Sequence, residues 1–155
     1  MEQKPKNLSD VMTQGAVTIE PGLSVQDALE VMRSWGMRHL PVVEQEKVVG
    51  LLSDRDIYRQ MAFQPTKKLV SEAMSLNPFT VKSGERLGPV VKMMADNKYG
   101  CAIVCNSQEK VVGIFTTTDA LYILSRLLED SDDSSGFRVM SIEEYLASWQ
   151  GQQSA

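Results

Sequence analysis

The chain has 155 residues, 43% hydrophobic and 23% charged, an ordinary globular composition that excludes a largely disordered polypeptide. With 16 basic and 20 acidic side chains the formal net charge is -4, which argues against nonspecific binding to nucleic acid or an anionic membrane, since both need a basic surface. No stretch approaches the ~20 apolar residues that span a bilayer, and Met1 to Asn7 has no apolar run behind its charges, so a cytoplasmic protein is expected.

Pro21-Gly22-Leu23 reads as a turn and Ser24 as an N-cap, with Asp27 three residues on as a capping box. Val25, Ala28, Leu29 and Met32 then follow helical spacing, and Gly36 ends the helix. Leu40 to Val43 and Val48 to Leu52 are short apolar runs joined by Glu44-Gln45-Glu46-Lys47, which predicts a hairpin. A second helix opens near Ser53 and runs through Ile57 and Met61. The same order then returns. Leu87, Val90, Val91 and Met94 take the first-helix positions, and Pro89 falls in the first turn, where it removes no intrahelical donor. Cys101 to Cys105 and Val111 to Phe115 form the second hairpin, and a helix from Thr116 continues through Leu121, Leu124 and Leu128.

The chain is therefore a duplication. Glu46-Lys47-Val48-Val49-Gly50 recurs unchanged as Glu109-Lys110-Val111-Val112-Gly113, an offset of 63, while Met12, Thr18, Met32 and Val42 match Met74, Thr80, Met94 and Val104 at an offset of 62. The extra residue falls in a polar loop, where insertions are tolerated. Neither copy would bury enough surface alone, so an α+β fold is expected in which two repeats, 8–66 and 67–128, pack on each other. Met32, Trp35, Met93 and Met94 are apolar enough to form a helical interface, but core packing is their expected role.

Cys101 and Cys105 lie four steps apart, about 13 Å along a strand, too far for a disulfide, and read as small buried hydrophobes. Glu129 to Gly136 is acidic and hydrophobe-free, the start of a linker expected over 129–140. Over 141–150, Ile142, Tyr145, Leu146 and Trp149 stripe a short helix, which needs either its own core or a partner to dock on.

Chemistry concentrates where each hairpin meets its following helix. Gly50-Leu51-Leu52-Ser53-Asp54-Arg55-Asp56 and Gly113-Ile114-Phe115-Thr116-Thr117-Thr118-Asp119 share glycine, two apolar residues, Ser/Thr, two variable positions and Asp. A helix-start box accounts for both Asp residues without any ligand; a polar binding turn accounts for them equally well. There is no Walker loop, dinucleotide glycine fingerprint or metal-binding His pair, and an enzyme is not expected.

These turns, the duplicated hairpin unit, and Met37-Arg38-His39-Leu40-Pro41-Val42-Val43 in the first copy resemble the tandem cystathionine-β-synthase (CBS) domain pair, over roughly Leu8 to Leu128. The resemblance implies two β-α-β-β-α repeats with pseudo-twofold symmetry and a cleft for adenine nucleotide (AMP or ATP) or a related adenosyl ligand such as S-adenosylmethionine, with no cofactor required. It places Asp56 and Ser53 at the sugar of one site, Arg38 and His39 toward phosphate, and Pro78, Phe79 and Thr80 beside the base. The other site would use Asp119 and Thr116, with Ala16, Val17 and Thr18 beside its base. Gly100-Cys101-Ala102-Ile103 replaces Arg38-His39-Leu40-Pro41 in the second copy, so the Asp56 site is expected to prefer phosphorylated ligand and the Asp119 site to be weaker, selective for an uncharged adenosyl group, or empty. A regulatory module acting on an unidentified partner, and self-associating as a homodimer, is the implied role. An adaptor with vestigial pockets is the alternative.

Overall fold

The computed structural model describes residues 5–63 and 69–129. The C-terminal helix expected over 141–150, and all of the expected linker except Glu129, lie outside the described residues. The chain forms two compact units, Met1–Ile123 and Leu124–Ala155, and both hairpins belong to the first. No helix of the described residues is long and apolar enough to cross a membrane.

A 3-10 turn at Leu8–Asp10 leads into the short strand β1 (Thr13–Gln14). The first repeat continues with α1 (Val25–Trp35), β2 (His39–Glu44), β3 (Lys47–Ser53) and α2 (Asp54–Phe63). After α3 (Val70–Ala73) the second repeat supplies β4 (Thr80–Lys82), α4 (Leu87–Asn97), β5 (Cys101–Cys105), β6 (Val111–Thr116) and α5 (Thr117–Glu129). α1 starts where Ser24 Oγ accepts the Asp27 N–H at 3.1 Å, and it ends at Gly36, whose φ of 63° closes the helix in the left-handed conformation. α4 starts at Arg86 without a side-chain cap and ends at Lys98, φ 56°.

The two hairpins match in detail. β2 pairs antiparallel with β3 and β5 with β6, each ladder carrying one irregularity at the same place, Val42/Val43 and Val104/Cys105. Each repeat also places an upstream segment parallel to its hairpin. Ile19 bridges Val42, and β4 pairs with β5 at Val81↔Val104.

The repeats exchange their leading segments. β1, at the head of the first repeat, pairs with β6 of the second at Thr13↔Ile114, while Ser75, at the head of the second, bridges Leu51 of the first. Leu8 accordingly packs with Val81, Phe115 and the rest of the second core. Val70 and Ala73 pack with Leu29, Leu52 and the rest of the first. The boundaries legible in the sequence thus cut across the cores in space, and each core needs residues from both copies.

This exchange explains the duplicated glycine. A Cβ on Gly113 would lie 2.6 Å from the Thr13 carbonyl oxygen, and one on Gly50 would lie 2.5 Å from Met74 Sδ and 3.1 Å from the Ser75 carbonyl oxygen. Only a residue without a side chain lets the exchanged backbone cross at that distance.

The helical stripes are as expected for Met32 and Met94, which are buried, but Trp35 is 70% and Met93 48% exposed rather than in the core. Met93 stands one residue, about 100°, round the helix from Met94. Trp35 is the last residue of α1, within an exposed run from Arg33 to Gly36. Both cysteines are buried free thiols.

Candidate functional site

The register of the first hairpin gathers the motif residues. His39, the first residue of β2, lies directly opposite Ser53, the last of β3. The Arg38 carbonyl accepts the Asp54 N–H at 3.1 Å, which ties the strand entrance to the start of α2. Ser53 and Asp56 then form a reciprocal helix-start box: the Ser53 N–H donates to Asp56 Oδ2 at 3.0 Å, and the Asp56 N–H donates to Ser53 Oγ at 3.2 Å. The second turn repeats it, with Thr116 N–H to Asp119 Oδ2 at 2.7 Å and Asp119 N–H to Thr116 Oγ1 at 3.3 Å. Each hydroxyl also donates to that same Oδ2. Among the described residues no group donates to either Oδ1, so each half-buried carboxylate is held rigidly by one oxygen and offers the other. The capping and ligand readings of the turn are therefore compatible.

A cavity of about 470 Å³ opens beside the first turn, within the size range of small-molecule sites. Arg38, His39, Ser53 and Asp56 line it from the first repeat, and Pro78 and Phe79 line it from the segment preceding α4. The structure thus brings together six of the seven residues assigned to this site. Thr80 stands apart: it is exposed and lines a separate recess with Lys47 and Lys82. Phe79 and Thr80 are consecutive in extended backbone, where neighbouring side chains face opposite sides.

Four residues with basic or aromatic side chains that the motif reading did not place there also line it. Arg55 and Arg59 stand one turn apart on α2, and Lys98 and Tyr99 follow α4. The i,i+4 spacing of Arg55 and Arg59, starting inside the motif, is the signal that could have found the arginines. Nothing in the local pattern marks Tyr99, whose ring stacks on Phe79 at a centroid distance of 5.0 Å and an interplanar angle of 24°. Together the two rings give the cavity an aromatic wall.

The second repeat reaches into this same cavity at the positions where it lacks cations. Gly100 and Cys101, equivalent to Arg38 and His39, both line it. A Cβ on Gly100 would lie 2.7 Å from His39 Nε2, so the glycine makes the room that the imidazole fills. Burial there holds His39 below its ordinary value of 6.5. Arg38 and Arg55 add to the depression, while Asp54 and Asp56 oppose it. A neutral imidazole serves as a hydrogen-bonding group rather than a charge. Burial pushes the Cys101 thiol up to about 12, which leaves it protonated and unreactive. Arg38 spans the repeats in the other direction, its guanidinium 3.4 Å from Thr118 Oγ1.

Thr116, Asp119, Ala16, Val17 and Thr18 do not line this cavity. Ala16 to Thr18 follow the β1–β6 pairing as Pro78 to Thr80 follow the Ser75–Leu51 bridge, so the backbone frame is the same in both repeats.

The CBS domain family model matches residues 8–62 and 70–126. Protein MJ1232 of Methanocaldococcus jannaschii is 29% identical over 118 residues, 76% of this chain and 39% of that protein. This chain spans well under half the length of the curated relatives it matches. Among solved structures, the CBS domain pair of protein MJ0100 in complex with 5′-methylthioadenosine and S-adenosyl-L-methionine superposes with a TM-score of 0.71 at 26% identity, covering 81% of this chain and 98% of that one. CBSX2 in complex with AMP gives 0.67 at 23% identity, covering 80% and 97%, a likeness of fold. Two tandem matches spanning most of the chain, on a duplicated fold of the same architecture, establish that this chain belongs to the CBS domain family.

Proposed function

We propose that the chain is a regulatory module that binds an adenine nucleotide in the Asp56 cavity and passes occupancy to another protein. The observation that carries this reading is the set of groups gathered in one cavity wall. Aromatic rings at Phe79 and Tyr99, a carboxylate oxygen left open by its cap at Asp56, and guanidinium groups at Arg38, Arg55 and Arg59 all belong to it. That set fits base, sugar diol and phosphate, since an acceptor-only carboxylate suits two hydroxyl donors and guanidinium suits phosphate. The adenosyl ligands held by the CBS pair of MJ0100 support the base and sugar part of the assignment. The second site, at Asp119 and Thr116 with Ala16, Val17 and Thr18, keeps the carboxylate and is the weaker of the two. Self-association uses the exposed apolar side chains of α1, α2 and α4, among them Trp35, Phe63 and Met93.

Thermal unfolding with and without ATP tests the reading. A ligand at about 100 times its Kd stabilises the folded chain by about 2.7 kcal/mol. A rise in melting temperature that saturates with ATP is expected. No rise at millimolar ATP, AMP or S-adenosylmethionine would favour an adaptor whose pockets are vestigial.

A further inference from the structure

The segment repeated without change, Glu46-Lys47-Val48-Val49-Gly50 and Glu109-Lys110-Val111-Val112-Gly113, enters the second strand of each hairpin from a different turn. Glu44 pairs with Lys47, so the first turn has two central residues, Gln45 and Glu46, both left-handed at φ 48° and 66°. The second turn sets Ser107, Gln108 and Glu109 between Asn106 and Lys110, and of these only Glu109 is left-handed, at φ 65°. Both are standard hairpin closures, and they aim the same side chains differently. Across the pseudo-twofold, Glu46 is due to meet Lys110, and Glu109 to meet Lys47. Only the first pair forms, with Lys110 Nζ 2.7 Å from Glu46 Oε1. Among the described residues the Lys47 ammonium and the Glu109 carboxylate have neither an ion pair nor a hydrogen bond.

Those two side chains line a recess of about 320 Å³, at the small end of ligand sites. Lys82 and Glu85 also line it, but each already has a partner. The Lys82 ammonium donates to the Asn106 carbonyl at 3.1 Å, and the Glu85 carboxylate accepts the Lys82 N–H at 3.0 Å. Buried Val81 and Cys105 give the recess an apolar floor. Burial pushes the Cys105 thiol up; Lys82 opposes that shift and Glu109 adds to it, so both charges act on the floor. One cation and one carboxylate that have not met each other are thus left for a ligand.

We propose that this recess binds a small zwitterion of the free amino-acid class, with its carboxylate on Lys47, its ammonium on Glu109 and an apolar side chain toward Val81 and Cys105. Such a ligand replaces the missing ion pair and gives the two hairpin turns their second bridge. The site is separate from the Asp56 cavity and does not depend on the nucleotide reading. Because both charged groups are exposed, affinity is in the millimolar range and weakens with salt.

NMR titration of the full chain with L-alanine, L-valine and L-leucine tests it. The expected result is saturable shifts at amides around Lys47, Thr80 to Glu85 and Glu109. Isocaproate and isoamylamine, which each keep one of leucine's two charges, should bind about tenfold or more weakly. Lys47→Met and Glu109→Gln should each weaken leucine by a similar factor without lowering the melting temperature, since neither side chain has a partner to lose. No saturable shift with any of the three amino acids at millimolar concentration would overturn the inference. So would isocaproate or isoamylamine binding as tightly as leucine, or either variant binding leucine as the wild type does.

Discussion

At the entrance to the first hairpin stand Arg38 and His39; at the equivalent place in the second stand Gly100 and Cys101. Everything around them is duplicated: the hairpin register, the irregularity after Val42 and Val104, and the Ser/Thr–Asp box at the start of the helix. Yet the two pairs do not serve two separate sites. All four residues line one cavity, where the small pair makes room for the large one and His39 packs on Gly100. Duplication supplied the frame twice, and divergence at two positions concentrated charge and space on one side of it. A site between repeats is therefore specified as much by what one copy has lost as by what the other has kept.

The comparison breaks most directly at the crossing glycines. Gly113→Ala drives a methyl group against the Thr13 carbonyl, a backbone atom, at 2.6 Å. Gly50→Ala meets first the flexible end of Met74 and then the Ser75 carbonyl at a more tolerable 3.1 Å. Denaturant titration should give a loss of about 1–3 kcal/mol for Gly113→Ala and a clearly smaller loss for Gly50→Ala. Equal losses would mean that the two exchanged segments are held with equal stiffness.

A smaller effect sharpens the contrast at His39, the one histidine in the chain. Because burial depresses its folded-state value, the unfolded chain binds the proton more readily. The stability associated with neutral His39 is complete above about 6.5, the ordinary value, and is lost as pH falls through that point toward the depressed one. An NMR titration of the single imidazole should show a midpoint below 6.5. His39→Gln should flatten the acid side of the stability profile in that window. A midpoint at or above the ordinary value would mean that the ring is not packed on Gly100.

Local chemistry made much of this legible in the sequence. The stripe Val25, Ala28, Leu29, Met32 and the terminator Gly36 delimit α1 because spacing and left-handed backbone are properties of a few neighbouring residues. The repeat offset gave the second copy from the first. What escaped was non-local. Exchange of Leu8 and Val70 between cores depends on pairing across the chain, which no window contains. Lys98 illustrates the same limit. Sequence proximity sets it beside the positions vacated at Gly100 and Cys101, and the fold turns it into the cavity that Arg38 also lines. Thr80 shows the converse, since a motif can name three consecutive residues while the strand that begins at Thr80 turns that side chain away from the side Phe79 faces.

The central assignment is that Asp56, rather than Asp119, holds the sugar of a phosphorylated ligand. Titration of ATP into the Asp56→Asn and Asp119→Asn chains decides it, with melting temperatures recorded alongside because each change touches a helix cap worth about 1 kcal/mol. Severe loss of ATP affinity in Asp56→Asn, with near wild-type affinity in Asp119→Asn, is the expected result. The reverse pattern, in folded proteins, would contradict it.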